Sequence, residues 1–384
     1  MSEQKKMSNG AMKKMSTERR DKHPYFIWES IMMIPEILEN CFNQDTIDQL
    51  VKVTQEIERR NIQRLFLIGT AAGYFSSIAE RYAFETLSSI PATALITSEF
   101  RAYPPLDFDS DSAVFFHSHS GGTKGDPDVV QMVKNRRAYT IGVTDVQGSP
   151  LANCVDDVIL GPGGRKPEMP ATRTYASALY RMIHLAIKLG KTSGVEKVTP
   201  EYERQYRKIP GLLKKFISKY EEKSPKDRDV LEKCSSFFVI GSGPNYATAC
   251  ESAIGFSQSL GVPAQAYPLR NFLHGPIQTL RKGMGVFLIA APGPMQERML
   301  LTAKVCKIVG AKVALILPEG KEPLDDCDLL IKVPEVDFET LSPLLYITPL
   351  WQLAYQFSLL NRGGHPDRLA MDRPEFKKAI SLLK

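Results

Sequence analysis

The sequence lacks the features of several protein classes. Its six cysteines form no C-x-x-C pair, and its six histidines show no ligand spacing with carboxylates apart from His117-x-His119. Missing cysteine pairs argue against a zinc site or a disulfide framework and favour buried free thiols in a reducing cytoplasm. Residues 1–23 contain no apolar run, which excludes a signal peptide or a membrane-spanning helix there. We therefore expect a cytoplasmic protein with no metal site and no membrane partner.

Excess charge is scarce outside one segment. The chain of 384 residues carries a formal charge of +6, and residues 1–23 hold seven Lys or Arg against three acids. The remainder is nearly neutral, which disfavours a nucleic-acid partner, and we interpret the basic segment as a solvated leader. With 43% hydrophobic residues the chain can bury a core, which excludes a disordered or collagen-like protein. Its length corresponds to about two domains.

An internal repeat with a constant offset of 172 residues is present in the chain. Residues 64–69 align without gaps with 236–241, and residues 90–94 align with 262–266. Each half alternates short apolar runs, which predict buried parallel strands, with helical segments. The pattern predicts an α/β fold of two tandem, doubly wound parallel-sheet domains that arose by duplication.

The repeat predicts four parts and an ordered set of elements. The parts are a leader with an N-terminal helix at 1–45, a first domain at 46–200, a second domain at 201–365 and a tail at 366–384. Strands are predicted at 65–68, 113–116, 141–143, 158–160, 237–240, 286–290, 313–317 and 329–333. Helices are predicted at 47–60, 74–88, 126–135, 174–189, 200–224, 246–260, 297–309 and 344–360.

The end of one predicted strand is rich in groups that bind anions. His117-Ser118-His119-Ser120-Gly121-Gly122-Thr123 follows the strand ending at Phe116 and precedes a helix. Ligands of doubly wound sheets bind beyond such strand ends, where hydroxyls, backbone N–H groups and the helix dipole favour negative charge. The aligned turn of the second half has lost all three hydroxyls, which become Ala290, Pro292 and Met295. We therefore predict an anion site in the first half alone.

Several motifs resemble those of the sugar isomerase (SIS) domain family. They are Gly69-Thr70-Ala71, Ser98-Glu99-Phe100-Arg101, Ser118-His119-Ser120-Gly121-Gly122-Thr123, Ala171-Thr172-Arg173-Thr174-Tyr175, Phe272-Leu273-His274-Gly275-Pro276 and Gly363-Gly364-His365-Pro366-Asp367. The chain is similar over roughly residues 45–384 to the isomerase half of glucosamine-6-phosphate synthase and to fructoselysine-6-phosphate deglycases. The resemblance implies two SIS domains and a sugar-phosphate ligand.

The resemblance also implies roles for single residues. The 6-anion of the sugar would be held by Ser118, His119, Ser120 and Thr123, with further ligand contacts from Thr70 and Thr172. His274 would be the acid and base that opens the sugar ring, and Arg270 beside it could meet an anionic substrate. Lys378 lies near the place of a family tail lysine, although a solvated C-terminal face is the alternative.

Gln258 departs from the family pattern. It occupies the place of the family's proton-shuttling glutamate, and an amide takes up no proton at neutral pH. Another residue must then be the base, or the reaction needs no base there. Glu251 lies two helical turns earlier on the same face and is one candidate, with a structural role as the equal alternative.

The function expected from the resemblance is aldose–ketose isomerisation of an open-chain hexose with a phosphate or sulfonate at carbon 6. Two alternatives remain open: an amine-releasing deglycase or deaminase, and a non-catalytic sugar-phosphate-binding regulator. No cofactor is implied. A homodimer or higher homo-oligomer is expected, with the apolar helix at 344–360 helping to bury the interface. Because no glutaminase half and no Cys at position 2 accompany these domains, we do not expect glutamine-dependent amination.

Overall fold

Two parallel five-stranded sheets organise the chain, for which the computed structural model describes residues 20–123, 125–164, 170–360, 362, 365–367 and 374–383. The strands of the first sheet are β1 (Arg64–Gly69), β2 (Ala92–Ile96), β3 (Ser112–His117), β4 (Tyr139–Thr144) and β5 (Asp157–Leu160). The strands of the second sheet are β6 (Phe237–Gly241), β7 (Ala264–Pro268), β8 (Gly285–Ile289), β9 (Lys312–Pro318) and β10 (Leu329–Val333).

Helices connect the strands and cover the sheets. In the first half they are α1 (Phe26–Met32), α2 (Ile34–Asn40), α3 (Gln44–Arg59), α4 (Ala72–Leu87), α5 (Thr97–Ala102), α6 (Asp126–Asn135) and α7 (Arg173–Thr192). From the linker onward they are α8 (Pro200–Leu231), α9 (Asn245–Leu260), α10 (Leu269–His274), α11 (Gln296–Ile308), α12 (Ser342–Ser358) and α13 (Pro374–Ile380). Short 3₁₀ turns lie at Pro276–Thr279, Glu339–Leu341 and Ser381–Leu383.

The two sheets have the same topology, which confirms the predicted fold class. Their orders are β2-β1-β3-β4-β5 and β7-β6-β8-β9-β10, and every strand pair is parallel. The edge strands β2 and β7 begin 172 residues apart, as the repeat requires. In each sheet the direction of winding reverses between the first and third strands, at β1/β3 and β6/β8. A crevice opens at such a point beyond the carboxyl ends of the strands.

The predicted strands lie at the expected places because a parallel strand buried on both faces is a continuous apolar run. Every residue of β3, β4, β6 and β8 is buried. The edge strands β2 and β7 were not predicted. They are half-exposed and short, and their sequences ATALI and AQAYP carry no continuous run of large apolar side chains. The helices α1 and α2 were likewise resolved only as part of the leader region.

The linker helix α8 differs from its prediction at the C-terminal end. It continues past Ser224 and Pro225 to Leu231. The prediction ended at the polar Ser-Pro-Lys-Asp-Arg segment, but the buried stripe of Phe216, Tyr220 and Asp227 runs through it at helical spacing. The Tyr220 hydroxyl donates to Asp227 at 2.8 Å, which satisfies the buried carboxylate.

One hydrophobic core joins the two halves. It contains residues of α4 and α7 from the first half together with residues of α9 and α12 from the second. All 17 residues of α12 are buried within the chain. The expectation that this helix helps bury an interface with another copy is therefore wrong, because its apolar surface is used inside the chain.

Four of the six free cysteines, Cys41, Cys234, Cys250 and Cys306, are buried, and Cys154 and Cys327 are half-buried. Among the described residues, no helix combines the length and apolarity needed to cross a bilayer. The tail motifs at 363–364 and all but the last four residues of the basic segment at 1–23 lie outside the described residues.

Candidate functional site

A cavity of about 170 Å³ lies at the carboxyl ends of β1, β2 and β3. The register of the sheet pairs Gly69 with both Ile96 and His117, so the loops that follow these three strands meet. The lining residues are Thr70, Thr97, Ser98, Arg101, Thr123, Gly125, Asp126 and Val129. We call this space the anion cavity, and it stands where the winding of the sheet reverses, as the sequence predicts.

The turn after β1 brings Thr70 to the cavity through a close approach of backbone. A Cβ at Gly69 would lie 2.5 Å from the carbonyl carbon of Gly73, so no larger residue fits there. Ala71 takes a φ of +49°, a conformation that side chains rarely adopt. Thr70 itself is exposed at the mouth. The tight turn keeps the start of α4 close to the strand end.

Residues 117–123, the anion loop, are held in place by their own hydrogen bonds. The hydroxyls of Ser118 and Thr123 lie 2.9 Å apart, and the backbone N–H of Ser118 donates to the Val143 carbonyl at 3.1 Å. The backbone N–H of Gly122 donates to Ser120 Oγ at 3.2 Å. The loop leads into the ten-residue helix α6, whose N-terminus favours negative charge.

Two charged groups border the anion cavity. The guanidinium of Arg101 is 57% exposed and lies 3.7 Å from the Asp128 carboxylate, so it keeps most of its donors for a ligand. Burial raises the pKa of Asp126, and hydrogen bonds from the hydroxyls of Ser118 and Thr123 oppose that shift. The cavity therefore offers hydroxyls, a helix N-terminus and one mobile cation.

His119 faces away from the other hydroxyl-bearing residues of the loop, toward the end of β4. Its Nδ1 lies 3.7 Å from Oδ2 of Asp145, and the His119 side chain is 22% exposed against 1% for Asp145. Nη2 of Arg181 lies 3.8 Å from the other carboxylate oxygen. The loop thus joins the anion cavity to a buried His–Asp–Arg cluster.

The equivalent position in the second half is filled by a carboxylate. The Glu339 side chain lies against Gly243 and Gly293, which the repeat aligns with Ala71 and Gly121. A Cβ at Gly293 would lie 2.5 Å from Glu339 Oε2, and one at Gly243 would lie 3.0 Å from Oε1. Burial raises the pKa of Glu339 to about 6. An acidic side chain where the first half has its anion loop supports the prediction that the second half holds no anion.

The residues proposed for proton transfer do not lie together. His274 ends α10 and is exposed, as is Arg270 one turn earlier on the same helix. Gln258 is exposed in the last turn of α9, whereas Glu251 is 4% exposed. The shared helix face predicted for the last two residues therefore spans two environments. The described residues that line the anion cavity all belong to the first half.

Two further predicted residues lie apart from the anion cavity. Thr172 is fully buried at the N-terminus of α7, and its hydroxyl donates to Ser30 Oγ at 2.8 Å. Lys378 is exposed on α13. Neither is among the residues that line the cavity.

The structure adds residues that were not assigned a role from the sequence. Thr97, Ser98 and Arg101 reach the cavity from α5, directly after the unpredicted strand β2. Their signal was the Ser98-Glu99-Phe100-Arg101 motif, which marked the family but gave no position. Asp145 follows β4 and meets His119 only through the pairing of β3 with β4.

Comparison with known proteins gives a consistent set of similarities. The sequence model of the SIS domain matches residues 59–187 and 230–358. The glutamine–fructose-6-phosphate aminotransferase (isomerizing) of Thermus thermophilus is 27% identical over 345 residues, which cover 88% of this chain and 56% of that protein. The enzyme of the same name from Methanothermobacter thermautotrophicus is 28% identical over 326 residues, 84% of this chain and 52% of that protein. The chain thus spans about half the length of these relatives.

Solved structures share the fold. The C-terminal domain of glucosamine-fructose-6-phosphate aminotransferase from Francisella tularensis superposes with a TM-score of 0.79 at 18% identity, covering 89% of this chain and 97% of that one. Glucosamine-6-phosphate deaminase from Thermotoga maritima gives 0.73 at 21% identity, covering 89% and 97%. Tagatose-6-phosphate ketose/aldose isomerase from Escherichia coli gives 0.74 at 15% identity, covering 89% and 94%.

Proposed function

Because this chain belongs to the SIS domain family, we propose that it is an aldose–ketose isomerase acting on a hexose that carries a phosphate or sulfonate at carbon 6. The anion cavity is the observation that carries the proposal. Its hydroxyls, Arg101 and the N-terminus of α6 converge where the sheet reverses its winding. The names of the relatives agree with this reaction class, since they include isomerising aminotransferases and a ketose/aldose isomerase.

The proposed reaction has two proton-transfer stages. The 6-anion docks in the anion cavity and fixes the sugar at one end. His274 then moves a proton between the ring oxygen and the anomeric hydroxyl, which opens the ring. An enediol step between carbon 1 and carbon 2 converts ketose to aldose. Arg270 and His274 are exposed on α10 and absent from the cavity lining, which supports a homodimer in which His274 reaches the partner's cavity.

A deuterium-exchange experiment tests the function. The protein is incubated in D₂O with fructose 6-phosphate, glucose 6-phosphate, their 6-sulfonate analogues and glycated amino-acid phosphates, while NMR follows carbon 1 and carbon 2. Isomerisation gives deuterium uptake and interconversion of one ketose–aldose pair. Release of free amine would identify the deglycase or deaminase reaction instead. Binding without uptake from any sugar would refute an enzymatic role.

The role of His274 is tested separately by substitution. His274→Ala should abolish turnover of the ring-closed sugar and leave anion binding within a few fold, because His274 does not line the cavity. Gln278→Ala is the matched control, since Gln278 is exposed in the next 3₁₀ turn, and it should turn over normally. Normal turnover by His274→Ala would show that ring opening needs another group.

A second candidate function is a sugar-phosphate-binding regulator that performs no reaction. The observation in its favour is Gln258, an exposed amide at the position where the family pattern has its proton-shuttling glutamate. Such a protein would bind the sugar through the anion cavity and exchange no proton. The same NMR experiment separates the two functions, because only the isomerase incorporates deuterium.

A further inference from the structure

An enediol step needs a group that accepts a proton from carbon, and the residues first considered for that role are unsuited to it. Gln258 carries an amide, which takes up no proton at neutral pH. Glu251 is 4% exposed among the helices that join the two halves. Burial, followed by the charges of Glu251 and Glu80, raises the pKa of Tyr175 well above its usual value, which places both carboxylates inside that helical layer. A base for the sugar must instead lie beside the anion cavity.

His119 has that position. It follows Ser118 directly in the anion loop, and its carbonyl accepts hydrogen bonds from the Asp145 N–H at 3.0 Å and the Thr144 hydroxyl at 3.1 Å. These bonds fix the loop against the end of β4. Nδ1 of the ring lies 3.7 Å from the Asp145 carboxylate, a contact of the kind that tightens when substrate binds. A carboxylate at Nδ1 selects the tautomer that leaves the lone pair on Nε2.

The surroundings of Asp145 are shaped around this carboxylate. A Cβ at Gly161 would lie 1.9 Å from Asp145 Oδ1 and 2.7 Å from Nη2 of Arg181, so glycine leaves the space that both groups occupy. Nε of Arg173 also approaches from α7, 3.7 Å from the Cβ position at Gly163. In the described part of the chain, His119 Nε2 and both Asp145 oxygens have no hydrogen-bond partner. Such buried polar atoms are rare, and they call for a functional partner or a bridging water.

We propose that His119, held by Asp145, is the base and acid of the enediol step, an inference that rests on the isomerase function proposed above. From ketose to aldose, Nε2 takes the proton from carbon 1, and the C–H electron pair becomes the C1=C2 bond while the carbonyl oxygen on carbon 2 gains a proton from water. Nε2 then returns its proton to carbon 2, and the hydroxyl on carbon 1 releases its proton to water as the aldehyde forms. No redox change and no co-reactant are required.

Substitutions that keep the hydrogen bonds and remove the proton transfer test this role. In His119→Gln, binding of the exchanging sugar phosphate should change by a few fold, and deuterium uptake should fall by at least about 100-fold. Asp145→Asn should lower uptake less, and the double variant should equal His119→Gln alone, because Asp145 acts through His119. Added imidazole should restore part of the uptake in His119→Ala, a response that a structural role would not give. His184→Gln, a buried histidine on α7, is the control and should exchange normally.

Each contrary outcome has a distinct meaning. Full uptake by His119→Gln would overturn the inference, and so would a loss of binding with kcat unchanged, which would make His119 an anion ligand. A lower melting temperature with unchanged kcat would identify a water-bridged structural cluster and also overturn it. If the wild-type protein exchanges no sugar, the isomerase function itself fails. That result is separate, because the inference is tested only against wild-type exchange.

Discussion

Replacing Glu339 by glutamine should stabilise the protein at neutral pH and have no effect in acid. The Glu339 carboxylate lies against Gly243 and Gly293, in the place that corresponds to the anion loop of the first half. Burial raises its pKa to about 6, from 4.5 in the unfolded chain. The folded protein therefore binds the Glu339 proton more tightly than the unfolded chain, and ionisation of this side chain opposes folding.

The size and the pH window of the effect follow from these two values. A difference of about 1.5 pKa units corresponds to about 2 kcal/mol. Below pH 4.5 the side chain is neutral in both states and no stability is lost. As the pH rises from 4.5 through 6, the unfolded chain ionises first and the free energy of unfolding falls. Above pH 7 the loss is complete, so Glu339→Gln should then exceed the wild type by up to about 2 kcal/mol.

Urea unfolding of both proteins between pH 4 and pH 8 measures this difference. The difference in free energy of unfolding should grow from near zero at the acid end and level off above pH 7. Glu335→Gln is the control, because Glu335 is exposed in the same loop and keeps its water in both states. A difference that is the same at every pH, or a wild type that is more stable at pH 7, would refute the reasoning.

Three further substitutions test the anion loop and its support. Thr123→Val keeps the shape of the side chain and removes a hydroxyl that bonds Ser118, so calorimetry should show phosphate binding weakened about tenfold. Gly121→Ala places a Cβ 2.0 Å from a neighbouring hydroxyl and should lower the melting temperature sharply, whereas Gly148→Ala, also at positive φ but with no atom within 4 Å, should lower it little. His117→Leu leaves the buried carboxylate of Glu80, now 2.7 Å from His117, unpaired and should cost about 3–5 kcal/mol in urea unfolding. The double variant with Glu80→Leu should recover part of that loss.

The predictable part of the fold is the part that is buried on both faces. Strands such as β3 and β8 are fully buried, so their sequences are apolar runs that indicate a parallel strand without further context. The constant offset of the repeat then doubled the weight of each assignment. The edge strands β2 and β7 have one exposed side and many alanines, so no local pattern separates them from a loop.

The candidate site divides in the same way. Ser118 and Thr123 belong to one continuous loop at a strand end, and such a loop can be identified from the sequence alone. Arg101 and Asp145 come from other loops, and only the order of the strands brings them to the same edge of the sheet. Their roles depend on topology, which residue spacing does not encode. The extension of α8 past Pro225 has a similar origin, since buried contacts with the second half outweigh the local proline signal.

The duplication also explains why the two halves have different chemistry on one backbone plan. The short helices α5 (Thr97–Ala102) and α10 (Leu269–His274) stand 172 residues apart, so that Ser98 aligns with Arg270 and Ala102 with His274. In the first half this helix gives Ser98 and Arg101 to the anion cavity. In the second half, where Glu339 fills the corresponding place, the same helix exposes the histidine proposed for ring opening. An ancestral anion site thus became free to change once its twin retained the ligand, and its helix could acquire a proton-transfer role while the sheet and core stayed the same.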